Sequence, residues 1–313
     1  MRHGNRDEVP LKLGRVRRLK FCLPSSLGQS FTRIPRRSIF GVKNVPDVFH
    51  PAVFRFCMRL RFALLFALLA ASAFAQPVTL RVMTYNIHHG EGIDQKFDLE
   101  RIAKLITDAK ADIVGLQEVD RGCARTEKRD LPAELAKLTG MMVQFDKNIP
   151  HEGGEYGNAV LTRFAIKQAK NTHLKSFANG EQRGVQQLVL DIHGRDVLFM
   201  NAHLDARRDP AEREHSAGEL KQIVSAAGPM PVILVGDFNA APQAVSVAKI
   251  REFLSDSWPM VNQDPGFTIP VKKPSRRIDY IWITTDSIEP VKLQVLTSEA
   301  SDHLPIIAEL RLK

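Results

Sequence analysis

Cysteine is nearly absent from this chain. The 313 residues contain 3, and because Cys22 and Cys57 precede Met58, Cys123 stands alone in the remainder. A lone thiol forms no intramolecular disulfide, which excludes a disulfide-stapled scaffold, and without close Cys/His pairing it excludes a structural zinc site. Acid is scarce upstream of Met58, where arginine and proline are scattered without periodicity. Long apolar runs are missing too. The run Phe62 to Ala70 is too short to span a bilayer, and no later transmembrane stretch, internal repeat or low-complexity linker occurs.

What surrounds that short run is informative. Met58-Arg59-Leu60-Arg61 is a basic start, the apolar core follows, and Ala73-Phe74-Ala75 forms a small-x-small cleavage site before Gln76. This is the layout of a secretory signal peptide, residues 58–75, which sends the product to the periplasm or the medium. Residues 1–57 then read as an over-extended reading frame with Met58 as the true start; a transit-like extension is the alternative. Charge follows the same division. The whole chain carries net +9 with a pI near 9.6, as a nucleic-acid binder would. Yet residues 1–75 hold 14 of the 44 Lys and Arg against 3 of the 35 Asp and Glu. Residues 76–313 are left with 30 basic and 32 acidic side chains, a net of −2 that offers no global field for nucleic acid. Their length fits one large domain with a full core.

Along that domain, Thr79 to Ile87 reads as a strand. Leu99, Ile102, Ala103, Ile106 and Ala109 repeat at helical spacing behind an Asp98 cap. Ile113 to Leu116 is a buried strand, and Pro132 to Leu138 a short helix stopped by Gly140. Met141–Phe145, Gly157–Thr162, Val185–Ile192 and Val197–His203 read as strands, the last two joined through His193-Gly194-Arg195 as a hairpin. Asp209-Pro210-Ala211-Glu212 starts a helix with a cap, an N1 proline and a capping-box acid. Val232 to Val235 is a buried strand, Val245 to Leu254 a helix, and Arg277–Ile283, Val291–Leu296 and Pro305–Leu310 are strands. Adjacent strands mixed with few helices argue for an α/β fold of two sheets packed face to face with helices outside, not a doubly wound parallel sheet.

The strand ends carry the chemistry. Asn86 follows the first strand and Glu118 the second, and Asn201 and His203 close the hairpin strand. Asp237 and Asn239 end the Val232 strand two positions apart, so an extended backbone would point both to one side. Asp279 interrupts an apolar strand, where it could instead serve as the ion partner of Arg277. Asp302 and His303 precede the last strand. Hard oxygen ligands with imidazoles at rigid positions suit Mg2+ or Mn2+ beside a general base.

The segments Met83-Thr84-Tyr85-Asn86, Leu116-Gln117-Glu118-Val119, Asn201-Ala202-His203, Gly236-Asp237-Phe238-Asn239, Arg277-Ile278-Asp279-Tyr280 and Ser301-Asp302-His303-Leu304-Pro305 resemble the endonuclease/exonuclease/phosphatase superfamily, in family order across residues 79–310. The resemblance implies a four-layer α/β sandwich of two mixed β-sheets and metal-dependent hydrolysis of a phosphoester by in-line attack of water. It further implies Glu118 as principal Mg2+ ligand helped by Asn86 and Asp302, with Asp237 and Asn239 orienting water and phosphate. His303, held by Asp279, would be base or charge stabiliser, and His203 would donate to a non-bridging oxygen. Which of Asp237 and His303 takes the proton of the water stays open.

Many nucleases of the superfamily have an acid two residues after the first-strand asparagine. His88 stands there, followed by His89, as substrate contact, metal-side replacement or loop filler. Loop groups including Asp120-Arg121, Arg125-Thr126, Asn158, Arg183-Gly184 and Arg276-Arg277 resemble a bacterial secreted branch, with Asn158 and Arg183 as phosphate or head-group contacts. The substrate would be a phosphoester: a nucleic acid, a phospholipid head group or an inositol phosphate. Ala240-Ala241-Pro242 replaces the inositol phosphatase signature, and no aromatic membrane hairpin is inserted. A phosphodiester is the expected substrate, a phosphomonoester on inositol phosphate or lipid the alternative. A non-catalytic binding member would have lost the metal acid or the final histidine, and both are present. No protein partner is implied.

Overall fold

The computed structural model describes residues 78–177 and 180–313, so the expectations for the leader and its upstream extension lie outside the described residues. The first sheet contains β1 (Val78–Asn86), β2 (Ile113–Arg121), β3 (Met142–His151), β4 (Gly154–Thr162), β11 (Ile288–Val295) and β12 (Ile306–Leu312), in the order β11-β12-β1-β2-β4-β3. The second contains β5 (Ala165–His173), β6 (Gly184–Ile192), β7 (Arg195–His203), β8 (Val232–Asp237), β9 (Ser255–Asp256) and β10 (Asp279–Ile283), in the order β5-β6-β7-β8-β10-β9. Each sheet has one parallel pair, β1 with β2 and β7 with β8, and antiparallel neighbours otherwise.

Alternation along the strands makes the layers. Leu80 and Val82 of β1, Phe199 of β7, Val235 of β8 and Ile281 of β10 meet in a core between the two sheets. Met83 and Tyr85 point the other way, onto α1 (Leu99–Asp108) and α2 (Leu131–Thr139). Met200, Leu234 and Trp282 do the same on the second sheet, beneath α3 (Ala211–Ala226) and α4 (Val245–Arg251). The result is the four-layer sandwich that the resemblance implied. Burial of each such aliphatic or aromatic side chain favours folding by about 1.5–3 kcal/mol. Trp258, on the short α5 (Trp258–Val261), joins the core between the sheets.

Polar groups also cross that core. Gln117 Nε2 donates to Asn201 Oδ1 at 2.7 Å, and Asn201 Nδ2 donates to the carbonyls of Leu116 and Ala159 at 2.9 and 3.0 Å. All are buried, so each bond answers a group that would otherwise lose its water. At Gly115 the sheets come so close that a Cβ would sit 2.3 Å from Val235 Cγ2.

Local chemistry was read correctly at several element ends. Asp98 caps α1 through the Arg101 N–H, and Gly140, at φ 66°, ends α2 in the left-handed region. His193 and Gly194 have φ of 53° and 84°, the pair a two-residue hairpin turn needs. Element bounds shift by a few residues elsewhere: β3 runs on to His151, α4 ends at Arg251 and β11 starts at Ile288. Two differences have a clear local cause. Strand β5 has no apolar alternation to announce it because it is an exposed edge with six of its nine residues open to solvent. Helix α3 begins one residue later than expected: Pro210 is its cap, Asp209 accepts from the Ala211 N–H, and Glu212 turns instead to the Phe177 N–H at 2.7 Å.

Candidate active site

Two β-α-β units deliver the site. Strands β1 and β2 run parallel with α1 between them, and β7 and β8 run parallel with α3 between them. Their carboxyl ends therefore finish side by side, at the rim where α/β folds bind ligands. Asn86 ends β1, His203 ends β7 and Asp237 ends β8, all at positions that continue the inward-facing series of core residues. Antiparallel pairing then sets Asp279, the first residue of β10, opposite Asp237. The loop before β12 lies beside the end of β1 because those strands are antiparallel, and there Ser301 Oγ donates to the Asn86 carbonyl at 2.7 Å.

Two residues arrive by backbone distortion. Glu118 would follow Leu116 onto the helix side of its sheet, but β2 carries a bulge between Leu116 and Val119, with Glu118 at φ 59°. The extra residue returns Val119 to the outer core and lets Glu118 meet Asn86. Asn239 was expected to match Asp237 by strand alternation. It lies instead beyond β8 at φ 48°, and its N–H donates to Asp237 Oδ1 at 2.8 Å. A side chain–backbone turn places this pair, not the pleat. Gly236 allows the approach, since a Cβ there would fall 1.9 Å from the Ala202 carbonyl oxygen.

Hydrogen bonds link the groups in one chain. Asn86 Nδ2 donates to Glu118 Oε1 at 2.9 Å and to Asp237 Oδ2 at 3.2 Å. The same Asp237 oxygen lies 3.5 Å from His203 Nε2 and 3.7 Å from His303 Nε2. His303 Nδ1 donates to Asp279 Oδ2 at 3.0 Å, so the imidazole edge turned towards Asp237 is Nε2. Arg277 does not compete for Asp279: its guanidinium forms two bonds to Asp256, at 2.9 and 2.7 Å. On the other imidazole, Arg183 Nη1 donates to His203 Nδ1 at 3.0 Å. Asn239 Nδ2, another donor, lies 3.1 Å from His203 Nε2 and gives a hydrogen to the Leu204 carbonyl at 3.1 Å. The charged Arg183 is the stronger donor and claims the Nδ1 lone pair, which leaves the imidazole proton on Nε2, 3.5 Å from the Asp237 carboxylate.

Burial separates the titrations. Asp237 is pushed up to about 7 by burial, which outweighs the opposing His303 charge, and Asp279 adds to the rise. Burial works to lower His303, but the Asp279 and Asp237 carboxylates prevail and lift it to about 10. His203 falls well below its usual range through burial, with Arg183 and His303 repelling a further positive charge. A neutral donor, a cationic imidazole and a carboxyl poised near neutrality thus share one corner.

On the other side of Asn86 the ligating atoms of Glu118, His88 and His89 lie within 4.8 Å of one another. Both histidines are left-handed, at φ 44° and 43°, a conformation costing bulky residues about 1–3 kcal/mol each. Burial, Arg125 and His88 together hold His89 below its usual pKa. Glu118 is half-buried, and a partly exposed carboxylate beside an amide fits a hard divalent cation that keeps several waters. The donors present therefore fit the metal that the fold family uses. Glu118 would hold it, with the neighbouring imidazoles within reach.

Other expected residues take different places. Asn86 bridges Glu118 and Asp237 as a donor, while its Oδ1 accepts the His88 N–H at 3.1 Å. Asp302 adds to the field that raises His303 but belongs to neither ligand cluster. Asn158 is buried and donates to the Gly184 carbonyl at 3.3 Å, and Arg183 is buried between His203 and Glu181. His88 and His89, expected as substrate contact, metal-side replacement or loop filler, lie in the Glu118 cluster. One participant was not assigned from the sequence: Ser301 was legible only as the small residue before Asp302-His303. Arg125, noted among the loop groups, is tied by two bonds to buried Asp120 and lies over the Tyr156 ring.

Fold and site together define a phosphoester hydrolase. The profile of the Endonuclease/Exonuclease/phosphatase family matches residues 83–303, and the chain belongs to that family. It is 30% identical over 254 residues to "Uncharacterized protein YbhP" of Escherichia coli, a match covering 76% of this chain and 98% of the relative. Among solved structures it is similar to an endonuclease/exonuclease/phosphatase from Beutenbergia cavernae, with a TM-score of 0.64, 28% identity, and coverage of 75% of this chain and 72% of the other. It shares its fold with a mannosyl-6-phosphatase of Bacteroides thetaiotaomicron, with a TM-score of 0.63, 21% identity, and coverage of 74% and 99%.

Proposed function

We propose that this chain is an exported phosphodiesterase that depends on a divalent cation, Mg2+ or Mn2+, and cleaves its substrate by in-line attack of water. One observation supports it above the others: Asp237 Oδ2 stands within 3.7 Å of His203 Nε2 and His303 Nε2 and is joined through Asn86 to Glu118. On this reading Asp237 is the base, His203 and His303 are the N–H donors and Glu118 is the metal ligand. A divalent cation held by Glu118 would supply charge neutralisation to the phosphoryl group. Asp237, raised to about 7 by burial, takes the proton of the attacking water. The water oxygen forms its bond to phosphorus opposite the leaving oxygen, which departs with the electron pair of the broken P–O bond. His203 Nε2–H and cationic His303 donate to the non-bridging oxygens as their charge builds.

A diester of compact size is favoured over long nucleic acid, because the net charge of −2 on residues 76–313 supplies no attractive field. A groove of about 460 Å³ beginning at Ala241, two residues past Asn239, offers Trp258, Phe267 and Arg276 to the rest of such a substrate. Export rests on the Met58–Ala75 signal, and N-terminal sequencing of the exported protein should start at Gln76.

The test is a panel of bis(p-nitrophenyl) phosphate, single- and double-stranded DNA, RNA, sphingomyelin, glycosylphosphatidylinositol and inositol phosphates. Each is assayed with Mg2+ and with EDTA, using Glu118→Ala as control. Diester cleavage abolished by EDTA and by Glu118→Ala is expected. Turnover of monoesters alone would replace the diester reading, and turnover of none would end the proposal.

A further inference from the structure

We infer that His88, His89 and Glu118 form an imidazole-rich ligand set, and that the metal position of this enzyme takes a first-row transition cation such as Mn2+, Co2+ or Zn2+ in preference to Mg2+. This deepens the phosphoesterase reading and rests on it.

The ring nitrogens show how the set is built. His88 Nδ1 lies 3.2 Å from the Glu91 carbonyl oxygen, which only accepts, so Nδ1 carries the proton and Nε2 the lone pair. His89 Nε2 lies 3.5 Å from the Glu91 carboxylate, while its Nδ1 is buried with no hydrogen-bond partner. One residue thus orients both rings, by its carbonyl and by its side chain, and each ring keeps the opposite nitrogen unprotonated. Carbonyl and carboxylate partners of this kind fix the tautomer and direction of metal-binding histidines.

A buried nitrogen lone pair without a donor is costly unless something occupies it. A bare phosphate oxygen cannot, since lone pair would meet lone pair; a water hydrogen or a cation can, and the Glu118 carboxylate beside it favours the cation. The third member, Glu118, offers a carboxylate within 4.8 Å of both imidazoles. Two imidazoles and one carboxylate leave positions open for water and substrate, and this donor set suits transition metals, whereas carboxylate and water suit Mg2+. The backbone is committed to the arrangement, because all three residues hold left-handed φ values, 44°, 43° and 59°. The neighbouring Asp237, Asp279 and His303 form a separate cluster whose imidazole Nδ1 is already bonded to Asp279.

Pulsed electron paramagnetic resonance of the full chain loaded with one equivalent of Mn2+ tests this directly. Modulation from two directly coordinated imidazole nitrogens is expected in the wild type and from one in His88→Gln and in His89→Gln. Competition dialysis should show Mn2+ and Zn2+ weakened at least about tenfold in either variant, with Mg2+ changed by less than about threefold. Absence of nitrogen modulation in the wild type, or equal weakening of Mg2+ and Mn2+, would overturn the inference. The wild-type spectrum stands even if a variant fails to fold. Hydrolysis is scored separately: nitrogen coordination without phosphoester turnover keeps this metal site and rejects the function, and the reverse result does the opposite.

Discussion

The two β-α-β units bring unlike halves to one site. The β7-α3-β8 half, with β10 and the loop before β12, packs His203, Asp237, Asp279 and His303 away from solvent, each at most 5% exposed. There the environment sets protonation: burial and mutual charge move Asp237 to about 7 and His303 to about 10. The β1-α1-β2 half places Glu118, His88 and His89 in partial contact with solvent and strains the backbone at all three. Deep burial suits groups that must hold or move a proton; partial exposure suits groups that must admit a hydrated ion. Asn86, bonded to both carboxylates, is the seam.

That contrast can be broken by substitutions on either side. His303→Ala should lower kcat by about 10²–10⁴, the range for losing a group that handles protons or transition-state charge. Its Mn2+ affinity, read by dialysis, should stay at the native value. Glu118→Gln should cost a comparable factor, about 10²–10³, through metal binding, and excess Mg2+ should restore part of the rate. Equal metal dependence in the two variants would dissolve the distinction between the halves.

Stability should divide the same way. Asp279→Ala leaves the buried His303 charge without its hydrogen-bonded partner and should cost about 3–5 kcal/mol in urea unfolding. Glu118→Gln, at a half-exposed position, should change stability by no more than about 1 kcal/mol. Between these, Gln117→Ala strips the inter-sheet network of its bond to Asn201 and should cost about 1–3 kcal/mol without altering metal affinity.

The halves also differed in how far they could be read from sequence. Asp237, Asp279 and His303 stood out because each is a polar residue at the end of an apolar strand, within one or just before one, and strand pairing then brings them together. Helix α1 was legible through Asp98 and its apolar spacing, and the hairpin through His193-Gly194. The metal side was harder, since its geometry depends on left-handed φ values at His88, His89 and Glu118 and on a bulge that residue types do not announce. For the same reason alternation misplaced Asn239. Strand β5 escaped notice because an exposed edge has no apolar face to show. Arg183, expected as a phosphate or head-group contact, lies buried against His203, a partner that spacing in the sequence does not reveal.

The account turns on both halves acting at one phosphorus atom, and a double-variant cycle measures that directly. Hydrolysis of bis(p-nitrophenyl) phosphate is compared for the native chain, His303→Ala, Glu118→Gln and the double variant, each with saturating Mg2+. If the two groups serve one step, the double variant should be within about threefold of the slower single variant, because groups that act as a unit are strongly non-additive. Losses that multiply, or a native rate in His303→Ala, would contradict it.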